Sequence, residues 1–104
     1  MALTFIEIKI QEDQTKAAKR EYEVAADMYH SAEKRLAFQK EQLTRCKPSE
    51  KRLIEEDIRH FSNLSVSYKR KMEGAQFAYE KRLARLEELR RKWEEQEAAK
   101  NVTR

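Results

Sequence analysis

Turn-forming residues are nearly missing from this chain, which has one glycine, one proline and one cysteine among 104 residues. With Gly74 and Pro48 as the only punctuation, very few turns are possible and one sharp reversal is all that can be placed. The lone Cys46 permits no internal disulfide, so a reducing compartment is the simpler expectation. Aromatic residues make up 9% of the chain and hydrophobic residues 39%, too little apolar material for a thick globular core. Nowhere do about 18 apolar residues run together, so no membrane insertion is expected. The start of the chain has no basic segment followed by an apolar one, and Ala2 stands where myristoylation requires glycine. A cytoplasmic location follows as the expectation.

What remains is rich in charge, at 40%, and in strong helix formers, which indicates long helices or a coiled coil. Lys and Arg number 23 against 19 Asp and Glu, a formal charge of +4. That excess is mild for a nucleic-acid binder, because carboxylates are interspersed with the cations throughout.

From Ala18 the apolar residues step by four and three along Ala18, Tyr22, Ala25, Tyr29, Ala32 and Leu36, then Gln39, Leu43 and Cys46. This is a coiled-coil seam. Traced backward it meets Thr15, Gln11, Ile8 and Thr4, of which only Ile8 is a good seam residue, so the N-terminal portion is expected to hold less tightly. After Pro48 the rhythm resumes with Ile54, Ile58, Phe61, Ser65, Tyr68, Met72, Ala75, Tyr79, Arg82, Leu86, Leu89 and Trp93. Ser65 and Arg82 are the exceptions in this run, and a long Arg stem can cover apolar neighbours while its head reaches water. Gly74 interrupts nothing, since one glycine weakens a helix by only about 1 kcal/mol relative to alanine.

Pro48 biases the residue before it away from helix and is tolerated at a helix start, so the chain is expected to reverse at Lys47-Pro48-Ser49. In an antiparallel pair the facing residue numbers add to a constant. Leu43 with Ile54, Leu36 with Phe61, Tyr29 with Tyr68, Ala25 with Met72, Tyr22 with Ala75 and Ala18 with Tyr79 all add to 97, which centres the register beside the only proline. The small pair Ala32 and Ser65 lets the backbones approach closely, and Tyr29 opposite Tyr68 is the crowded layer. The expected fold is all-α: an antiparallel two-helix coiled-coil hairpin forming a single domain. Helix 1 runs from about residue 4 to 46 and helix 2 from about 49 to 98, with order expected to give out after that.

A second apolar line lies outside the seam. Helix 1 carries Leu3, Ile10, Ala17, Val24, Ser31 and Phe38 at one heptad position, with Met28 between this line and the seam; helix 2 carries Leu53, Leu64 and Ala78 on the corresponding side. Contiguous exposed apolar surface marks an interface. The expected partner is a protein, helical in kind: a second copy forming a four-helix bundle, a different coiled-coil subunit, or the chain's own C-terminus folded back as a third helix, with an intermolecular partner preferred. Leu3, Ile10, Ala17, Val24, Met28, Phe38, Leu53 and Leu64 are the residues expected to meet it.

No catalytic constellation is present, neither a glycine-rich phosphate loop nor a nucleophile with a placed base, so no enzyme, cofactor or metal is expected. His30 and His60 are a heptad out of register and off the seam. Cys46, between Arg45 and Lys47, is a candidate reactive thiol, but is read as the small residue that ends the seam. The basic runs Lys69-Arg70-Lys71, Lys81-Arg82 and Arg90-Arg91-Lys92 are mixed with Glu73, Glu80, Glu87, Glu88, Glu94 and Glu95, which favours a solvated helix face over a polyanion-binding module.

The first residues admit two readings. Ile6, Ile8 and Ile10 alternate with Glu7 and Lys9 as in a half-buried strand, yet this would be the only strand in the chain, with no edge to pair with. As a helix start, Thr4 is an N-cap, Glu7 completes a Thr-x-x-Glu capping box, and Leu3 can staple onto Ile8. Helix is the expectation.

In length, hairpin layout and charge-rich composition the chain resembles several small helical families: tubulin-binding cofactor A and the hairpin stalk or chaperone proteins of flagellar and type III export. The run "IEIKIQ" before a long charged helix is similar to the start of cofactor A. This resemblance implies a small helical assembly chaperone as the alternative to an interaction or structural subunit. No diagnostic motif accompanies it, helix 2 lacks the break that a three-helix cofactor needs, and no family is assigned.

Overall fold

The computed structural model describes residues 3–102. Helix α1 spans Phe5–Arg45 and helix α2 spans Lys51–Val102, packed antiparallel against each other as an all-α hairpin. No strand occurs among the described residues.

The start of α1 follows from its capping box. Thr4 N–H donates to Glu7 Oε2 at 2.8 Å, Glu7 N–H donates to Thr4 Oγ1 at 3.3 Å, and Ile8 N–H reaches the Thr4 carbonyl at 3.4 Å. Two orphan donors are thereby satisfied reciprocally, which fixes helix rather than strand here. The alternating isoleucines separate accordingly: Ile8 is buried while Ile6 and Ile10 face solvent.

Between the helices, Glu50 N–H donates to the Lys47 carbonyl at 2.9 Å, and Ile54 N–H donates to the Glu50 carbonyl at 3.2 Å. Pro48 and Ser49 are therefore the central residues of a tight turn, where the fixed φ of proline suits the first central position. Helix α2 begins at Lys51, slightly later than the expected 49, because the turn uses up the residues that the spacing assigned to helix. At the other end α2 passes the expected limit of about 98 and continues to Val102. Residues 103 and 104, which share the expected loss of order, lie outside the described residues.

Gly74 lies within unbroken α2, without positive φ, and a Cβ built on it would meet nothing within 4 Å. Gly74→Ala is therefore expected to stabilise the protein by about 0.5–1 kcal/mol, raising the thermal midpoint by a few degrees in a circular-dichroism melt. No change, or a loss, would show that the helix is not continuous at this point.

Contacts group into two compact units. A terminal unit comprises the residues up to Tyr22 and those from Ala75 onward; a turn unit comprises Glu23–Gly74. In the terminal unit Ile8, Ala18, Leu86 and Leu89 are buried, with Tyr22, Ala75, Tyr79 and Trp93 half-buried. Thr15 is buried as well, its hydroxyl donating to the Gln11 carbonyl at 2.7 Å. The looser packing expected of the N-terminal portion is not what the burial shows, for two physical reasons: α2 supplies Leu86 and Leu89 there, and a threonine that bonds its own helix can be buried without leaving a polar group unpaired. Gln96 closes this unit, accepting from Leu3 N–H at 3.0 Å and donating through Nε2 to the Leu3 carbonyl at 2.8 Å. Phe5 joins it, its ring 6.4 Å from that of Trp93.

In the turn unit Ala32, Leu36, Gln39 and Ser65 are buried, and Ala25, Tyr29, Leu43, Ile54, Ile58, Phe61, Tyr68 and Met72 are half-buried. Ala32 and Ser65, which face each other in the expected register, are each 5% exposed. The two polar members are satisfied: Gln39 Nε2 donates to Asp57 Oδ2 at 2.7 Å, and Ser65 Oγ donates to the Glu33 carboxylate. Among the described residues no buried side-chain nitrogen or oxygen lacks a partner. From Ala18 to Trp93 every seam residue is thus at least half-buried except Arg82, which is exposed and donates to Gln14 Oε1 at 2.8 Å.

Candidate interaction surface

The outer line is solvent-facing in both units. In the terminal unit Ile10 and Ala17 are exposed and Leu3 is half-buried. In the turn unit Val24, Met28, Phe38 and Leu53 are exposed and Leu64 is half-buried. Both helices use the seam to pack on each other, so these residues are the remainder of an apolar stripe wider than a two-helix contact consumes.

In the turn unit the outer line borders an apolar depression. An open groove of about 330 Å³ is lined by Asp27, Met28, Ser31, Ala32, Phe61, Leu64 and Tyr68. Its shape follows from residue size, since Ser31 and Ala32 are small and leave the floor low between Met28 and the two rings. Arg35 stands at one end, its guanidinium 5.8 Å from the Phe38 ring centre and 5.6 Å from that of Phe61. Both distances lie within cation–π range, so the Arg35 stem covers apolar surface while its charge stays in water. A groove of about 260 Å³ in the terminal unit is different in character, being walled by Glu12, Lys16, Lys19 and Arg90, with Arg90 paired to Glu12 at 3.2 Å.

Four exposed apolar side chains were not legible as part of this surface: Phe5, Ile6, Val66 and Phe77. They fall on neither heptad line, so their spacing carries no sign of a shared face. The ring pair Tyr22 and Tyr79, 6.5 Å apart, was likewise missed because the layer-by-layer register sets each tyrosine opposite an alanine, whereas rings reach diagonally to the next layer.

Several cations of α2 are already engaged. Arg85 and Lys92 meet Glu88 at 3.7 and 3.1 Å. The hydrogen bond and charge of Lys92, with Arg85 and Arg91 adding to them, hold the Glu88 carboxyl below the usual carboxylate range. His30 and His60 are exposed, each beside an aromatic neighbour, Tyr29 at 5.4 Å and Phe61 at 5.3 Å. No group of three His, Cys, Asp or Glu side chains able to hold a metal occurs among the described residues. The half-buried Cys46 thiol is directed at the Leu43 carbonyl, 3.5 Å away. No helix among the described residues is long and apolar enough to cross a membrane.

Fold and surface together define the class: an antiparallel two-helix hairpin with an apolar outer line that its own packing leaves uncovered. No family model, curated protein or solved structure matches the chain.

Proposed function

We propose that this chain is a non-catalytic interaction subunit that binds a helical protein surface through the outer face of its turn unit. The observation that carries the reading is the exposure of Val24, Met28 and Phe38 beside an open apolar groove, at the four-and-three spacing that a helix uses to engage another helix. The hairpin seam already satisfies each helix, so this second line has no partner within its own unit. Protein contact is favoured over polyanion contact because Arg85, Arg90 and Lys92 are matched with carboxylates and so offer no uninterrupted cationic stripe.

The test is the double substitution Val24→Glu with Phe38→Glu. Both sites face solvent, so the helical circular-dichroism signal is expected to persist while light scattering and pull-down report loss of the complex. An unchanged mass together with unchanged capture would refute the proposal.

A further inference from the structure

We infer that the partner of this face is a second copy of the chain, packed antiparallel so that a two-fold axis passes beside Ser31 and Leu64. The inference rests on reading the outer face of the turn unit as an interface, and it specifies what that interface binds.

On α1 the outer-line residues Val24, Ser31 and Phe38, with Met28 and Arg35 between that line and the seam, step by four and three and so keep to one face. Around Ser31 two pairs of residues are complementary. Val24 and Phe38 lie seven residues to either side, both apolar; Asp27 and Arg35 lie four residues to either side, with opposite charge. Helix α2 has the same property around Leu64, where Asp57 and Lys71 lie seven residues to either side. A two-fold axis perpendicular to the helices brings each residue onto the one equally far from the centre in the other copy. Val24 then packs on Phe38 of the second copy, Asp27 meets its Arg35, and Asp57 meets its Lys71, each contact occurring twice. Ser31 and Leu64 line the same groove, so the two centres of symmetry fall at one place.

The local state of the charges agrees with this arrangement. Asp27 and Arg35 have no ion-pair partner among the described residues; Arg35 lies over the Phe38 and Phe61 rings, Lys71 lies 5.9 Å from the Tyr68 ring centre, and Asp57 accepts from Gln39 through Oδ2 alone, so that Oδ1 is the oxygen that would meet Lys71 of the second copy. Both cations therefore sit on the edge of the apolar surface, where a carboxylate from another copy can reach them without their stems leaving the rings. At the centre the small Ser31 side chain lets α1 approach its copy closely. An axis running along the helices would lay α1 over α2 of the second copy instead. Val24 would then face Lys71 or Gly74, and Phe38 would face Asp57 or His60, leaving both apolar residues without an apolar match. The perpendicular axis is the one that pairs them.

Charge reversal in the full chain tests the inference, read by sedimentation equilibrium with circular dichroism as the folding control. The unmodified protein is expected to dimerise with rising concentration. Asp27→Arg alone and Arg35→Asp alone should each weaken dimerisation by roughly ten- to hundredfold through like-charge contacts across the axis, and the two together should restore it. In a Cys46→Ser background, Ser31→Cys is expected to give a disulfide-linked dimer on mild oxidation, whereas Lys40→Cys, also exposed but off this face, should not. A protein that stays monomeric at every concentration, or a double reversal that fails to restore the dimer, overturns the second copy as partner. If such a monomer still captures a helical protein in a Val24- and Phe38-dependent manner, the interaction-subunit reading survives that failure; if it captures none, both fall.

Discussion

Replacing Leu86 with alanine is expected to remove about 2–3 kcal/mol of stability and to lower the thermal midpoint by roughly 10–20 °C. Leu86 is the least exposed core side chain, at 3%, and lies in the terminal unit beside Thr15 and Tyr79. Truncation of a buried leucine combines lost transfer energy with the energy of the void left behind. Here the void would open toward a solvent-accessible groove, which limits the second contribution and sets the estimate near the low end of the range. Phe77→Ala removes a larger side chain but one that is 63% exposed, and should change stability by no more than about 0.5 kcal/mol. Urea denaturation of both variants decides the matter. Equal effects would mean that the seam does not hold the terminal unit together.

Enlarging Ala32 to leucine should destabilise by about 1–3 kcal/mol, although leucine is nearly as good a helix former as alanine. Ala32 and the facing Ser65 are both almost fully buried, and their small size is what lets α1 and α2 come close in the turn unit. Added methyl groups would force the helices apart at this layer. The hydrogen bond from Ser65 to Glu33 would be strained at the same time. Ala17→Leu makes the same chemical change on an exposed site of α1 and is expected to be close to neutral in the same urea titration. A neutral Ala32→Leu would show that the helices are not in close contact at this layer.

The seam was readable because apolar residues at four-and-three spacing report burial almost directly, and every apolar seam residue from Ala18 to Trp93 is at least half-buried. The place of the reversal was readable for a different reason: Pro48 permits only one position for it, and Pro48 and Ser49 are the central residues of the turn. The Thr4 and Glu7 pair identified the helix start since a capping box is a local motif whose geometry needs no tertiary information. Polar contributions to packing were harder. Thr15 looked like a weak seam residue because its burial depends on a hydroxyl bonding back to Gln11, which spacing does not reveal. Cross-helix contacts such as Arg82 with Gln14 and Arg90 with Glu12 depend on side-chain reach and rotamer. The outer line itself was visible as periodicity, but its groove was not, for it depends on the small side chains of Ser31 and Ala32 lying between larger ones.

A heptad repeat carries little information against translation by its own period: slide α2 by seven residues and Leu36, set opposite Phe61 by the spacing, meets Ile54 or Tyr68 instead. The Gln96 clasp on Leu3 has no such periodicity. One side-chain amide both gives and takes a hydrogen bond with the same residue's backbone, and a slide of one heptad away from the turn would bring Leu89 to that place, whose side chain can do neither. The clasp therefore works as a vernier mark on an otherwise repeating scale, distinguishing this alignment from the one a heptad away that would set a leucine there.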